Sequence, residues 1–413
     1  MTKKNIVIIG AGFGGATAAL TIARDISKYA DQYEILLIDR HHHQLYTPAL
    51  YEIASIPASR APENILKSSI LISLDKIAAR RPIRLVTDIF IGLRTSEKNI
   101  LLEQAGRLPY EFVIFALGSE TNYFNIPGLA EHSFPLKTYE DATRLRSAME
   151  ALTARKPFPR VVVGGGGASG VEIAAEFVNF FCAMNKDHGA KNPVCTGQIT
   201  LVEAGTEILA GFDPRVITRA KKRLEKLGIA VRTGCRIQSV NESEISYQDN
   251  TMQPYDILVW TGGVKGPTVL EATGLPLSDK GALLTDERLI VANSSDSIFA
   301  IGDNAGILNP KTDRMVVWNV PAAQAEARTA ARNVIAAIRG EKKERFIARK
   351  KYPFVLALGR KYAIADLGWI QPAGLAGWCL KQLIELRYLL FILPIAKAIP
   401  IWRMGIKMYT SND

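Results

Sequence analysis

Apolar and polar positions fall into blocks along this chain, and one block occurs twice. Asn5-Ile-Val-Ile-Ile is a β-branched apolar run that breaks at Gly10-Ala-Gly12-Phe13-Gly14-Gly15 and gives way to a stretch with helical spacing. Arg160-Val-Val-Val breaks in the same way at Gly165-Gly-Gly167-Ala-Ser-Gly170. Such a run, bounded by turn residues and followed by a helix, predicts a buried parallel strand. Gly10, Gly12 and Gly15 correspond to Gly165, Gly167 and Gly170, each 155 residues later. Further strands are predicted at Glu34–Asp39 and Gln198–Glu203, both ending in an acid. Phe112–Gly118, Tyr255–Gly263 and Asp296–Asp303 each end at a glycine turn. The fold class that follows is α/β, with two Rossmann-type modules and the second inserted into the first.

The spacing G-x-G-x-x-G has a mechanical reason. The first glycine allows a tight turn, and the second lets the backbone approach a pyrophosphate. The third lets helix and strand pack closely, so that the helix N-terminus faces the anion. One such motif is weak evidence; two in register imply two dinucleotides bound at once, one passing electrons to the other. Asp39 and Glu203 stand where a carboxylate accepts hydrogen bonds from ribose hydroxyls, which favours NAD over NADP. They lie 29 and 38 residues after Gly10 and Gly165, beyond the usual ~20. Arg24–Tyr33 and the polar insert Asn185–Gly197 account for the excess. Gly302-Asp303 is placed for the ribityl hydroxyls of a flavin. The expected division is an FAD-binding domain at 1–117, an NADH-binding domain at 118–265, the rest of the FAD domain at 266–340, and a membrane-associating or dimerising region at 341–413. Candidate contacts to FAD are Gly10, Gly12, Phe13, Gly14, Gly15, Asp39, Arg40, Thr47, Gly118, Gly302, Asp303 and Gln324. For NADH they are Gly165, Gly167, Gly170, Val171, Glu172, Glu203 and Gly263.

Charge changes the picture only once it is located. The net +11 is concentrated at the end: residues 339–413 hold 14 Lys/Arg against 5 Asp/Glu, while the rest is nearly neutral. From Gly374 to Tyr409, basic residues recur every few positions among leucines, with Trp378 and Trp402 between them and Pro394 and Pro400 dividing the segment. The longest uncharged run, Tyr388–Ala396, is nine residues, short of the ~20 needed to span a bilayer. The pattern predicts amphipathic helices lying on an anionic bilayer surface, or a dimerisation hairpin. Glu341–Lys351 adds six basic residues to that surface. Aromatics within leucine-rich helices argue against nucleic acid as the partner. The apolar start is read as fold, not as a signal peptide. Cys182, Cys195, Cys235 and Cys379 lack paired spacing and read as free thiols. His41-His42-His43 has no matching acid or cysteine cluster, so no metal site is expected.

On these motifs, and on Tyr46-Thr-Pro48-Ala-Leu-Tyr51, Leu117-Gly118-Ser through Pro127-Gly128, Gly170-Val-Glu172, Leu201-Val-Glu203 and Val259-Trp-Thr-Gly-Gly263, the chain resembles the type II NADH:quinone oxidoreductases. The resemblance covers almost all of it and implies a flavoprotein disulfide-reductase-like fold. It also implies a peripheral, monotopic enzyme on the cytoplasmic face of the inner (plasma) membrane. Such an enzyme passes hydride from NADH to non-covalent FAD, and two electrons on to a membrane quinone, without pumping protons. The glutamate matching Glu172 is implicated in coupling the two sites; helix-dipole stabilisation of an N-terminal acid is the bland alternative. In the family the quinone-side helix carries two glutamines four residues apart. Here Gln324 is kept and Arg328 replaces the second, a cation with five donors and no acceptor. Rival readings are a sulfide:quinone oxidoreductase, which would need a cysteine in the second glycine turn, and a non-enzymatic redox protein like the apoptosis-inducing flavoproteins.

Overall fold

The computed structural model describes residues 3–187 and 197–411. The chain forms two units, both discontinuous. One comprises Met1–Leu45, Leu71–Glu120 and Val264–Tyr352; the other comprises Tyr46–Ile70, Thr121–Gly263 and Pro353–Asp413.

In the first unit, Lys4–Ile9 lies at the centre of a five-stranded sheet. It pairs in parallel with Tyr33–Asp39 on one side and Phe112–Phe115 on the other. Ile83–Thr87 and Ile298–Ala300 are the edge strands. Ile6, Val7 and Ile8 are fully buried, as a parallel strand covered on both faces requires. The helix Phe13–Asp25 starts at Gly12 and is buried from Phe13 to Ile22. It packs on the helix Val320–Arg339, where small residues at both surfaces permit close approach. A Cβ on Gly14 would stand 3.4 Å from the Ile301 Cδ1 and 3.8 Å from the Ala323 carbonyl oxygen. An antiparallel meander (Phe90–Arg94, Asn99–Leu102, Gly106–Pro109) follows the sheet's edge strand in sequence.

The second unit repeats this plan strand for strand. Its parallel sheet runs Phe134–Pro135, Ile257–Trp260, Arg160–Gly164, Gln198–Val202, Ala230–Arg232, with the glycine-turn strand again central. Its meander is Ile237–Val240, Glu244–Tyr247, Met252–Pro254. The helix Tyr139–Arg155 begins at a capping box, in which the Thr138 side chain accepts from the Asp141 N–H and Asp141 accepts from the Thr138 N–H.

The C-terminal helices Leu375–Ile392 and Ile395–Tyr409 are built into this second unit, where Gln382, Glu385, Tyr388, Leu389, Ile392, Met408 and Tyr409 are buried. Pro394 caps the second of them, but Pro400 lies inside it and does not divide the segment. Its missing N–H falls in the second turn, so a single backbone bond is lost. Part of the basic stretch after Glu341 is tied to acids: Lys343 to Asp296 at 2.9 Å and Arg345 to Glu287 at 2.7 Å. The cysteines also differ from expectation. Cys182 is disulfide-bonded, while Cys235 and Cys379 are free; Cys195 and most of the expected insert lie outside the described residues.

The third glycine of each motif is sterically obligatory. A Cβ on Gly15 would stand 1.8 Å from the Gly10 carbonyl oxygen, whereas one on Gly12 meets no protein atom within 4 Å. Gly15→Ala is therefore expected to cost at least about 2 kcal/mol in urea unfolding, and Gly12→Ala less than about 1 kcal/mol. Equal losses would contradict the packing described.

Candidate functional site

The two glycine turns superimpose in chemistry as well as in spacing. Gly10 and Gly165 adopt φ of 99° and 107°, a region that favours glycine. A Cβ on Gly10 would lie 2.3 Å from the Ala116 oxygen, and one on Gly165 would lie 2.5 Å from the Gly262 Cα. Gly170 repeats Gly15, with its Cβ position 1.9 Å from the Gly165 oxygen. Gly12 and Gly167 alone face open space. Each turn therefore closes tightly on its strand and leaves one uncovered position at a helix N-terminus, the arrangement that accepts a diphosphate.

The acids match too. Asp39 accepts the Ala11 N–H at 2.7 Å on one oxygen and the His41 N–H at 2.9 Å on the other. Glu203 accepts the Gly166 N–H at 2.7 Å and the Gly205 N–H at 2.6 Å. Each carboxylate is held by backbone through both oxygens, and each oxygen keeps acceptor capacity for a ribose hydroxyl.

In the first unit a second cluster forms around Gly302-Asp303. Asp303 accepts the Ser119 hydroxyl at 2.8 Å, and the buried Asn304 accepts the Gly118 N–H at 3.2 Å while donating to the Phe115 carbonyl at 3.1 Å. These bonds bring Gly118 and the Gly302 turn together. Gln324 is buried and Arg328 half-buried one turn further along the same helix. Phe13 and Gly14 are buried and Arg40 is exposed. Sequence reasoning missed Glu326, which lies between Gln324 and Arg328, is 2% exposed and accepts the Gly302 N–H at 2.6 Å. Burial pushes its carboxyl up to about 8, the Gly302 N–H opposes this, and Asp303 adds to it. The signal was available: position 326 falls on the alanine-rich buried face with Ala323, Ala327 and Ala330.

In the second unit Val171 is buried, Glu172 and Gly263 are half-buried, and Thr47 is exposed at the start of a 3-10 turn. The Glu172 carboxyl accepts the Ala357 N–H at 3.2 Å. Desolvation raises it to about 8, against the pull of Lys381 and that N–H. Lys381, from the C-terminal helices, is ion-paired with the buried Glu52. Its ammonium lies 5.0 Å from the Tyr51 ring centroid and 5.7 Å from that of Tyr409. Burial alone would lower Lys381, but Glu52, Glu385 and Glu172 together raise it. Glu385, also buried, is pushed up to about 7, with Lys381 opposing. Beside it, Gln382 is 3% exposed, and neither its amide nitrogen nor its amide oxygen has a hydrogen-bond partner among the described residues. None of these C-terminal contributions was expected, because the segment was read as an amphipathic surface element. No group of three or more metal-binding side chains occurs among the described residues, and none of their helices is long and apolar enough to cross a membrane.

Residues 4–327 match the family model for pyridine nucleotide-disulphide oxidoreductases, and the chain belongs to that family. An external alternative NAD(P)H-ubiquinone oxidoreductase B3, mitochondrial, from Arabidopsis thaliana is 30% identical over 339 residues, covering 74% of this chain and 55% of the plant protein. The chain thus spans only about half of that relative's length. A type II NADH:quinone oxidoreductase from Haemophilus influenzae is 26% identical over 360 residues, covering 81% of this chain and 80% of the relative. Among solved structures, NDH2 from Plasmodium falciparum in complex with NADH has the same fold, with a TM-score of 0.82 at 19% identity and 98% of each chain covered.

The buried pair can be tested without reference to activity. Lys381→Met or Glu52→Leu alone should destabilise the protein by about 3–5 kcal/mol, because each leaves an unpaired buried charge. The double variant should lose much less than the sum. A double-mutant cycle in guanidinium that gave additive losses would mean that the two charges do not rely on each other.

Proposed function

We propose that this chain oxidises NADH and reduces a membrane quinone by way of non-covalently held FAD. The observation that carries the reading is the doubled turn, each copy with one uncovered glycine and one backbone-anchored acid. Gly10, Gly12, Gly15 and Asp39 would hold the FAD diphosphate and ribose, with Phe13, Gly14, Arg40, Gly118, Gly302, Asp303 and Gln324 completing its site in the first unit. When bound there, FAD would supply the hydride-accepting and electron-relaying chemistry between NADH and the quinone. Gly165, Gly167, Gly170 and Glu203 would hold NADH, with Val171, Glu172 and Gly263 towards its nicotinamide. The glycine turns supply position, and the buried strands behind them exclude water.

The balanced reaction, NADH + H⁺ + quinone → NAD⁺ + quinol, needs protons as well as electrons. Glu172 at about 8 and Glu385 at about 7 hold protons near neutral pH, and Lys381 between them is a cation that can donate. Gln324 and Arg328 would border the quinone, with Arg328 donating to a carbonyl oxygen. The cysteine that sulfide chemistry would need is absent from Gly167-Ala168-Ser169-Gly170.

Leu375, Leu383, Ile384, Leu390, Phe391 and Ile395 are exposed on the C-terminal helices, with Arg387, Lys397, Arg403 and Lys407 exposed around them. That combination favours a peripheral seat on an anionic leaflet. The cytoplasmic face of the inner membrane is the side where NADH is available, and a second copy of the chain is the other partner this face suits.

Glu203 would repel the 2′-phosphate of NADPH, so NADH should be the better donor. Glu203→Arg should move the ratio of kcat/KM values towards NADPH by at least about tenfold. A parent enzyme equally fast with both donors would remove the role of Glu203.

Anaerobic stopped-flow tests the acceptor. NADH should bleach the flavin absorbance in the dead time or soon after, and quinone should restore it. Gln324→Ala and Arg328→Ala should slow the restoration by about tenfold or more while leaving the bleaching within about twofold. Equal slowing of both halves would falsify the quinone-side placement, and failure of any quinone to restore the colour would overturn the acceptor.

A further inference from the structure

Two acids in the first unit are buried, and they are treated differently. Asp88 accepts three backbone N–H groups, from Ile89, Gln104 and Ala105, at 2.7, 3.1 and 2.9 Å. Glu326, at 2% exposure, accepts the Gly302 N–H at 2.6 Å. An ionised carboxylate that deep needs several donors; one N–H does not replace its hydration. The turn that supplies this N–H also carries Asp303, a second acid next in sequence, whose own carboxylate is held by Ser119. Ionising Glu326 therefore sets two negative charges at one short turn.

The other charged or titratable groups around Glu326 do not offset this. Tyr352 is half-buried, and its hydroxyl is pushed up mainly by that burial, with Glu326 adding to it and the exposed Arg349 opposing it. The helix Phe13–Asp25 brings only Gly14 and its neighbours to this end, because its charged pair Arg24–Asp25 lies at the far end near Arg332 and Arg339. On its own helix, Arg328 follows two residues later and so projects from a different face. The buried acid holds the Gly302 turn from behind through that one N–H, and its proton can respond to charge arriving at Asp303's ligand.

We propose that Glu326 is a positioning residue that works by its proton. By gaining or losing it, Glu326 changes the charge behind the Gly302-Asp303 turn and so sets how the reduction potential of a flavin held by that turn depends on pH. This rests on the reading of Asp303 as a flavin ligand. Two electrons entering the site make ionised Glu326 less stable, so the carboxylate takes up one proton from solvent as they arrive. The balance is one carboxylate plus one proton giving one carboxylic acid, with the electrons remaining on the flavin. Near the acid's midpoint of about 8, the potential should therefore fall more steeply with pH than it does for flavin alone.

The test is spectroelectrochemical titration of the flavin-loaded protein between about pH 6 and 10, comparing parent and Glu326→Gln. Glutamine keeps the oxygen that receives the Gly302 N–H and removes the proton. The parent should show an added steepening, by up to one proton per two electrons, beginning near pH 8 and extending above it, and none at pH 6. Glu326→Gln should follow the slope of free FAD throughout, with unchanged thermal stability at pH 6. Superimposable curves overturn the inference. If the variant does not fold, proton uptake by the parent decides: an indicator dye should report more protons taken up on reduction near pH 8 than free FAD takes up, and no excess overturns it. Should the parent retain no FAD, or Asp303→Asn bind it as tightly as the parent, the flavin site itself is misassigned, an outcome distinct from superimposable titration curves.

Discussion

Everything positioned in this protein depends on how closely a helix can begin against the strand it follows. At both turns the carbonyl oxygen of the first glycine lies under 2 Å from where the third would carry a Cβ. That clearance lets the helix start directly over the strand end. The strand end then presents the backbone N–H that orients Asp39 or Glu203. In the first unit the same closeness carries further. Gly14 allows the helix Phe13–Asp25 to approach Ile301 and Ala323, which fixes the helix carrying Gln324, Glu326 and Arg328. A side chain at either obligatory glycine would displace the turn, the acid beside it and, in the first unit, the helix Val320–Arg339 together.

Charge in the second unit is handled by a different economy. Glu52, Lys381 and Glu385 are all deep, and desolvating them is costly. Lys381 serves as cation to three carboxyl groups at once, which holds it above its ordinary range, while burial lifts Glu172 and Glu385 into the neutral range against its pull. One lysine cannot stabilise three carboxylates fully. Its pull only partly offsets the burial of Glu172 and Glu385.

The doubled α/β plan was legible from the sequence because it rests on strictly local signals: β-branched runs, glycines at fixed offsets and an acid at the next strand end. Asp39 and Glu203 were found by position alone, despite unusual spacings, and the structure anchors both in the same way. What the sequence hid depends on contacts between distant segments. Glu52 reads as an ordinary acid in a short helix until Lys381 arrives beside it. Gln382 and Glu385 read as the polar face of an amphipathic helix, because local periodicity does not tell which face a later packing partner covers. Glu326 is hidden between the polar Gln324 and Arg328, and only the alanine period of its helix shows that position 326 lies on the buried face. Pro400 inside a helix and the bonded Cys182 are likewise settled by tertiary context, not by spacing.

The pairing of Lys381 with Glu52 spans 329 positions of sequence, and that distance has a consequence for how the chain is made. Translation delivers Lys381 329 residues after Glu52. Throughout most of synthesis the segment Tyr46–Ile70 therefore belongs to a unit whose balancing cation does not yet exist. The first unit's central strands can close on the emerging polypeptide, whereas the second must wait for the helix Leu375–Ile392 to leave the ribosome. A nascent chain released a few dozen residues early would keep its first glycine turn and yet hold an uncompensated acid in its interior. Synthesis past Lys381 is in this sense a checkpoint: a segment made late decides whether an early one can be buried.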